Sequence, residues 1–299
     1  MTQKAGVERQ RGNRLGFWFF RAAARVFGLR GAYGLLYFVS LYYLAFDRAV
    51  VTASMAYVRR RFPEHGALRR ILDVYLLFIR LGENLIDRYY VNAGGTDIHF
   101  ELIGLEKIEE YLSAGQGMIF LTAHVGNWQV SMKALRNLKR TVHLMMRPED
   151  NASVKQALSI DSNQEAVRII FTDGAMGGVI EAMQAIGRGE IVSIMGDRTY
   201  GYASTEAPLL GGNVRFPHGA FSLAAAARCP VVVLLSAKVG HKNYVADISH
   251  VIEPPAGKRG ERDAELAACV RTFAHVLEDF AYQFPYQWFV FRDMWRNND

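Results

Sequence analysis

From residue 98 to residue 284 the chain alternates short apolar runs with longer stretches whose apolar positions recur every three or four residues. The first pattern buries a strand and the second buries one face of a helix. Strands are expected at residues 98–103, 118–123, 142–146, 168–171, 191–195, 231–237 and 244–248. Helices are expected at 105–113, 127–137, 152–160, 177–188, 217–228 and 264–284. This alternation predicts an α/β fold, a central and mostly parallel sheet flanked by helices. Ahead of it, residues 16–46 read as two amphipathic or apolar helices, with Arg21, Arg25 and Arg30 on one face of the first. The second, residues 31–46, carries no charge over sixteen residues. That is short of the roughly 20 needed to cross a bilayer, so it reads as an interfacial or embedded anchor. The competing reading is a helix hairpin packed on the domain. Residues 67–90 form a further helix that frames the domain, with Glu83, Asp87 and Arg88 near its end, and residues 253–262 resemble a linker.

Charge sharpens the division. Thirteen Lys and Arg stand against three acids through residue 70, and twenty-two against twenty-six afterwards, within a net charge of +6 for 299 residues. A basic front end interleaved with aromatic and aliphatic residues suits an anionic membrane surface. Nucleic acid ranks below it, because large apolar blocks separate the basic residues and no nucleic-acid-binding motif accompanies them. The expected organisation is a helical membrane-associating segment over 1–60 and one domain over 61–299. A secretory signal fits poorly, since the polar lead is long, arginines interrupt the apolar run and no small-residue cleavage site stands out. Cys229 and Cys269 sit inside an apolar run and a helical pattern, which excludes a disulfide framework and fits a reducing compartment. The histidines show no metal-ligand spacing, there is no Gly-x-Ser-x-Gly elbow, and no cofactor is implied.

The candidate chemistry begins at Thr122-Ala123-His124-Val125-Gly126-Asn127-Trp128-Gln129. His124 follows a buried strand at its carboxyl end, where crevices form in parallel sheets. An imidazole titrates near pH 6.5, so it can take a proton from an attacking hydroxyl and return it to a leaving thiol. A lone histidine is more often a core or capping residue. Here the glycine that follows permits close backbone approach and the asparagine is a helix-cap type.

This segment resembles the His-x4-Asp/Glu motif of the lysophospholipid acyltransferase superfamily, in the His-x-Gly-Asn-Trp-Glu form of bacterial lipid A acyltransferases. Gly196-Asp197-Arg198 is similar to the second block of that group, and Leu210-Gly211-Gly212 with Arg215-Phe216-Pro217-His218-Gly219 to its third. The run from Phe284 to Phe291, with Asp293 and Trp295, resembles its closing signature. The resemblance covers residues 85–295 in order, and is nearest to a bacterial branch associated with aryl polyene and related lipid pathways. It implies transfer of a fatty or polyene acyl group from an acyl thioester, acyl carrier protein ahead of coenzyme A, to a hydroxyl or amine of a membrane lipid. His124 is then the base, and Gly126, Asn127, Trp128, Arg198, Arg215, Pro217 and Gly219 contact substrate, the arginines through phosphate. Amides around Gly126 and Asn127, or Arg198, would face the oxyanion. The implied location is the cytoplasmic face of the inner membrane, alone or within a biosynthetic complex.

One position departs from the pattern. Gln129 stands where the motif has a carboxylate, and an amide carries no charge to offset an imidazolium. Asp197, at the end of another expected strand, can supply that charge by reaching His124, or can instead pair with Arg198 and cap a turn. Two further readings follow from Gln129 and from the shared base: a lipid-binding partner without chemistry, and a thioesterase that releases free acid. The aromatic cluster of Trp288, Phe289, Phe291, Met294 and Trp295 either lines an acyl channel or packs the core.

Overall fold

A computed structural model describes residues 14–92, 94–128, 135–147, 167–173, 175–253 and 262–296, with side chains from residue 28 onward except at 92, 136, 137 and 175. The expected helix at 152–160, most of that at 127–137, Gln129 and most of the 253–262 linker lie outside the described residues.

Three helices open the chain: α1 (Arg14–Phe46), α2 (Arg48–Arg61) and α3 (Ala67–Asn92). The two expected N-terminal helices are one element broken at Gly28, whose φ of 64° and ψ of −165° leave the helical region. Asp47 then caps α2 through its side chain, accepting from the Val50 amide at 3.2 Å, and the chain turns by 96° between α1 and α2. No single helix among the described residues is long and apolar enough to cross a membrane. α1 packs antiparallel to α3. Leu29, Ala32 and Leu36 bury themselves with Ile79 and Ile86, and the Tyr75 hydroxyl donates to the Tyr37 carbonyl at 3.0 Å. A side chain at Gly82 would strike Leu36 at 2.1 Å, so the two helices touch closely there. α2 enters the main core through Tyr57 and Val58, both essentially inaccessible.

The α/β body follows as expected. Its strands are β1 (His99–Ile103), β2 (Met118–Thr122), β3 (Val142–Met146), β4 (Val167–Phe171), β5 (Ile191–Met195), β8 (Val231–Lys238) and β9 (Asn243–Ile252), in spatial order β1-β9-β8-β2-β5-β3-β4. The five strands from β8 to β4 are mutually parallel; β9 runs against β8, and β1 is parallel to β9. β2 and β8 are buried along their whole length, as strands covered on both faces must be. Helices α4 (Glu109–Ser113), α5 (Val179–Gly187), α6 (Gly219–Ala227) and α7 (Arg262–Gln283) flank the sheet. Both cysteines are buried and unpaired.

The sequence pattern missed a hairpin, β6 (Ser204–Leu209) and β7 (Gly212–Pro217). Ala207, Leu209, Val214 and Phe216 alternate inward, but Pro208 reads as a strand breaker and is tolerated only because a two-stranded ribbon leaves its edge unpaired. Leu210 (φ 48°) and Gly211 (φ 72°) both take left-handed backbone at the two-residue turn, the conformation that matches the twist of a tight hairpin. Pro217 is therefore the last residue of β7, and the helix expected from 217 begins at Gly219.

Candidate active site

Sheet register brings the site together. Thr122 of β2 is paired with Met195 of β5, and the Gly196 amide continues the ladder by donating to the Thr122 carbonyl at 2.8 Å. His124 and Asp197 each stand two residues beyond that pair, on adjacent loops at the same end of the sheet. The His124 Nδ1 lies 2.7 Å from Asp197 Oδ1, and the His124 backbone amide donates to Oδ2 at 3.0 Å. The Trp288 indole also donates to Oδ2, at 3.2 Å. Asp197 is 1% exposed, whereas the His124 side chain retains 25% exposure and lines a cavity. With Nδ1–H held by the carboxylate, Nε2 is the ring nitrogen left for a substrate.

Burial opposes ionisation of Asp197, but the adjacent imidazole, its hydrogen bond, the Arg198 charge and the His124 amide outweigh it and hold the carboxyl well below the usual carboxylate range. Because the folded-state value is depressed, the stability this group contributes is complete above its unfolded pKa of about 3.9 and is lost as pH falls from there toward the folded value.

The loop that carries His124 is clamped by the C-terminal segment. The Gly126 amide donates to the Gln287 carbonyl at 2.8 Å, and the Phe289 amide donates to the His124 carbonyl at 2.8 Å. The Gln287 side chain in turn bridges both backbone groups of Lys238, accepting at 2.8 Å and donating at 2.9 Å. Gly126 is required here: its φ is +46°, and a Cβ would lie 1.9 Å from the Ser236 carbonyl oxygen. Its amide is committed to Gln287, which removes it from the oxyanion donors the sequence allowed. The Asn127 side chain donates to the Asn84 carbonyl of α3 at 2.9 Å, tying the same loop to the helical layer.

The cavity occupies about 840 Å³ beyond the carboxyl ends of β2, β5 and β3. That is within the roughly 300–1,000 Å³ typical of ligand pockets. α3 forms one wall through Leu81, Asn84, Leu85 and Arg88, and the opposite lining is mostly apolar, including Met145, Leu223, Phe289 and Phe291. Gly126, Asn127, Trp128, Arg198, Pro217 and Gly219 all line it. Arg215 does not. It projects from β7 opposite Glu206, half-exposed, with Nη1 3.4 Å from that carboxylate and Nε donating to Ser204 at 3.0 Å. The side chain of the neighbouring His218 meets Thr205 at 2.9 Å.

The aromatic cluster divides between the two roles open to it. Trp288 is fully buried and packs edge-on against Tyr57, with ring centroids 5.5 Å apart, while Phe289 and Phe291 face the cavity. Trp295 donates to the Leu209 carbonyl at 3.0 Å under the Arg60 guanidinium. A family model described as bacterial lipid A biosynthesis acyltransferase matches residues 89–297, a span that begins in the last turn of α3 and contains every strand among the described residues. The chain belongs to that family. Comparison with curated proteins returns no match. As an acyltransferase family member, the chain takes an acyl donor and a lipid acceptor.

Two features of this acyltransferase were given no role in the sequence reading. Arg88 and Arg147 line the cavity, the latter immediately after β3 just as His124 and Asp197 follow β2 and β5. That shared position at a strand terminus was the available signal. Behind the site lies a buried ionic cluster. Asp87 of α3 accepts from Lys238 Nζ at 2.7 Å and from the hydroxyls of Tyr33 and Tyr244, and Lys238 also reaches the Tyr33 hydroxyl at 2.6 Å. Burial, followed by the Asp87 charge, raises both phenols far above their ordinary range, so they remain donors. The cluster joins α1, α3, β8 and β9.

Proposed function

We propose that the chain moves a fatty or polyene acyl group from an acyl thioester, acyl carrier protein ahead of coenzyme A, to a hydroxyl or amine of a membrane lipid, with His124 as general base. The observation that carries this reading is the 2.7 Å contact between His124 Nδ1 and the buried carboxylate of Asp197 at the wall of a largely apolar cavity. Nε2 takes the proton of the acceptor as its oxygen or nitrogen attacks the thioester carbonyl. The imidazolium that forms is offset by Asp197, and it returns the proton to the departing thiolate. With the Gly126 amide engaged, the oxyanion is left to the Asn127 amide or to Arg198, whose Nη1 is 3.2 Å from the Tyr200 hydroxyl and whose Nη2 is 3.4 Å from the Phe289 carbonyl. The apolar lining accommodates the acyl chain. A carboxylate at position 129 is not needed for this arrangement, because Asp197 supplies the charge.

The decisive assay is purified protein with labelled acyl carrier protein and total bacterial lipid, resolved by mass spectrometry. Expected are an acylated lipid and an equal amount of free carrier thiol. Free fatty acid without acylated lipid would make the protein a thioesterase, and lipid binding without product would make it a non-catalytic partner.

We place the protein on the cytoplasmic face of the inner membrane, held by one end of the helical layer. Phe38, Leu41, Tyr42 and Phe46 of α1 are exposed by 74%, 55%, 59% and 72%. Leu68, Ile71 and Leu72, near the start of α3, are exposed as well. Each such side chain contributes about 1.5–3 kcal/mol when transferred from water into an apolar medium. Changing those four α1 residues to Ser is expected to lower partitioning onto anionic vesicles by about 100-fold or more. This variant keeps Tyr33 and the α1–α3 contact, which deletion of residues 1–46 would remove. Unchanged partitioning in a vesicle flotation assay would place the membrane contact elsewhere.

A further inference from the structure

Trp288 is fully buried and is not part of the cavity wall, a place that any large apolar ring could fill by packing alone. What an indole adds is an N–H. That donor is committed to Asp197, with Nε1 3.2 Å from Oδ2. The main chain of Trp288 belongs to the other half of the pair. It forms a short antiparallel bridge with Val125, the residue after His124, and its two neighbours close the same loop. The Gln287 carbonyl accepts from the Gly126 amide and the Phe289 amide donates to the His124 carbonyl, each at 2.8 Å. Trp288 therefore spans both loops, its backbone on the one after β2 and its side chain on the one after β5. α2 backs it from behind: the Tyr57 ring meets the indole edge-on, and the Tyr57 hydroxyl donates to the Pro285 carbonyl at 2.7 Å.

Three N–H groups meet the Asp197 carboxylate. The His124 amide and the indole both sit on Oδ2, which leaves Oδ1 to the imidazole Nδ1. An imidazolium holds that oxygen by its own charge. The neutral ring, the form that starts the reaction, offers a weaker hydrogen bond and relies on the other two donors to keep the carboxylate in place. We propose that Trp288 is a positioning residue: its indole N–H fixes the Asp197 carboxylate against Nδ1 of the neutral His124 ring, and so keeps Nε2 free for the acceptor's proton. The part this plays in turnover rests on the acyl-transfer reading; the hold on the imidazole does not. Among the described residues Asp197 is the one carboxylate paired with His124, so its orientation decides the state of the ring.

The test replaces Trp288 by benzothienylalanine, which keeps the shape of the side chain and puts sulfur where the N–H was, in the full-length protein in detergent. The titration of the His124 ring is followed by NMR of carbon-13-labelled histidine, with His124→Gln identifying its resonance. Losing the indole donor weakens the hold on the neutral ring more than on the imidazolium. The ring is therefore expected to titrate at higher pH, with proton affinity raised about threefold to tenfold. The other charge acting on Asp197, that of Arg198, is the same in both proteins. In turnover, kcat is expected to fall about tenfold at constant KM, because the cavity wall is untouched. Trp288→Phe also lacks the donor, and gives a second reading if the isostere fails to fold. Tyr57→Phe is the control: it takes a hydrogen bond from the same segment but no donor from Asp197, and should lower the thermal midpoint without moving the titration. A ring that titrates as in wild type in the folded Trp288 variants, or one moved equally by Tyr57→Phe, overturns the proposal. Because the titration is read without turnover, a shifted ring in a protein that transfers no acyl group counts against the transfer reading alone. Intact transfer with an unshifted ring counts against the positioning role alone.

Discussion

Asp197→Asn is expected to lower turnover about 10⁴-fold while leaving the protein folded, the loss seen when the equivalent carboxylate is removed from serine proteases. The reason lies in which oxygen does what. Oδ2 accepts two N–H donors, from the His124 backbone and the Trp288 indole, and Oδ1 faces the imidazole Nδ1. An asparagine keeps its carbonyl toward the two N–H groups and turns its amide toward Nδ1. A ring facing that donor must carry its proton on Nε2, so the nitrogen that should accept the acceptor's proton already holds one. The charge that stabilises the imidazolium disappears at the same time. His124→Ala is expected to fall to a comparable level, and the double variant to be little worse than either single one, since the two residues act as a unit. Single-turnover rates with matched thermal midpoints check this. If Asp197→Asn retains turnover within tenfold of wild type, the charge must come from another group and the proposed division of labour fails.

Asp87→Ala is expected to destabilise the fold by about 3–5 kcal/mol, lowering the thermal midpoint by roughly 10 °C. Asp87 is 0% exposed, and it is the acceptor for the Lys238 ammonium, for the buried Tyr244 phenol and for the partly buried Tyr33 phenol. Removing it leaves the lysine in a nearly dry position with Glu83 at 3.8 Å as a weaker partner, one already engaged by Arg80 at 2.7 Å. The large cost comes from the stranded charge more than from the lost contact. Replacing both partners, Asp87→Leu with Lys238→Met, should therefore cost less than Asp87→Ala alone. Chemical denaturation of the three variants measures the difference; a double variant as unstable as the sum of the singles would show that the pair is not buried as a unit. The same variants should lower activity, because Lys238 carries Gln287, and Gln287 holds the Gly126 amide beside His124.

The sequence by itself determined the layers. Short, nearly continuous apolar runs read as interior strands of a parallel sheet, which is why β2, β5 and β8 were legible to within a residue or two. The catalytic candidates were legible for a related reason, since His124 and Asp197 each follow a buried strand by two residues and loops at that end of a parallel sheet converge. Whether they meet was beyond the pattern: nothing in a one-dimensional string says that β2 and β5 are neighbours, or that Thr122 is in register with Met195. Pairing of Asp197 with His124, in preference to a turn with Arg198, is a consequence of that register. The hairpin of β6 and β7 was hidden because Pro208 obeys a rule for interior strands that an edge does not enforce. Arg215 looked like a phosphate ligand from its neighbours in sequence, and the pleat of β7 turned it outward to face Glu206. The Asp87–Lys238 pair and the indole of Trp288 on Asp197 join residues 151 and 91 positions apart, and Arg147 and Arg292 reach the Tyr200 ring from other parts of the chain. Such contacts depend on how helices and sheet pack in three dimensions, and only the tertiary structure decided them.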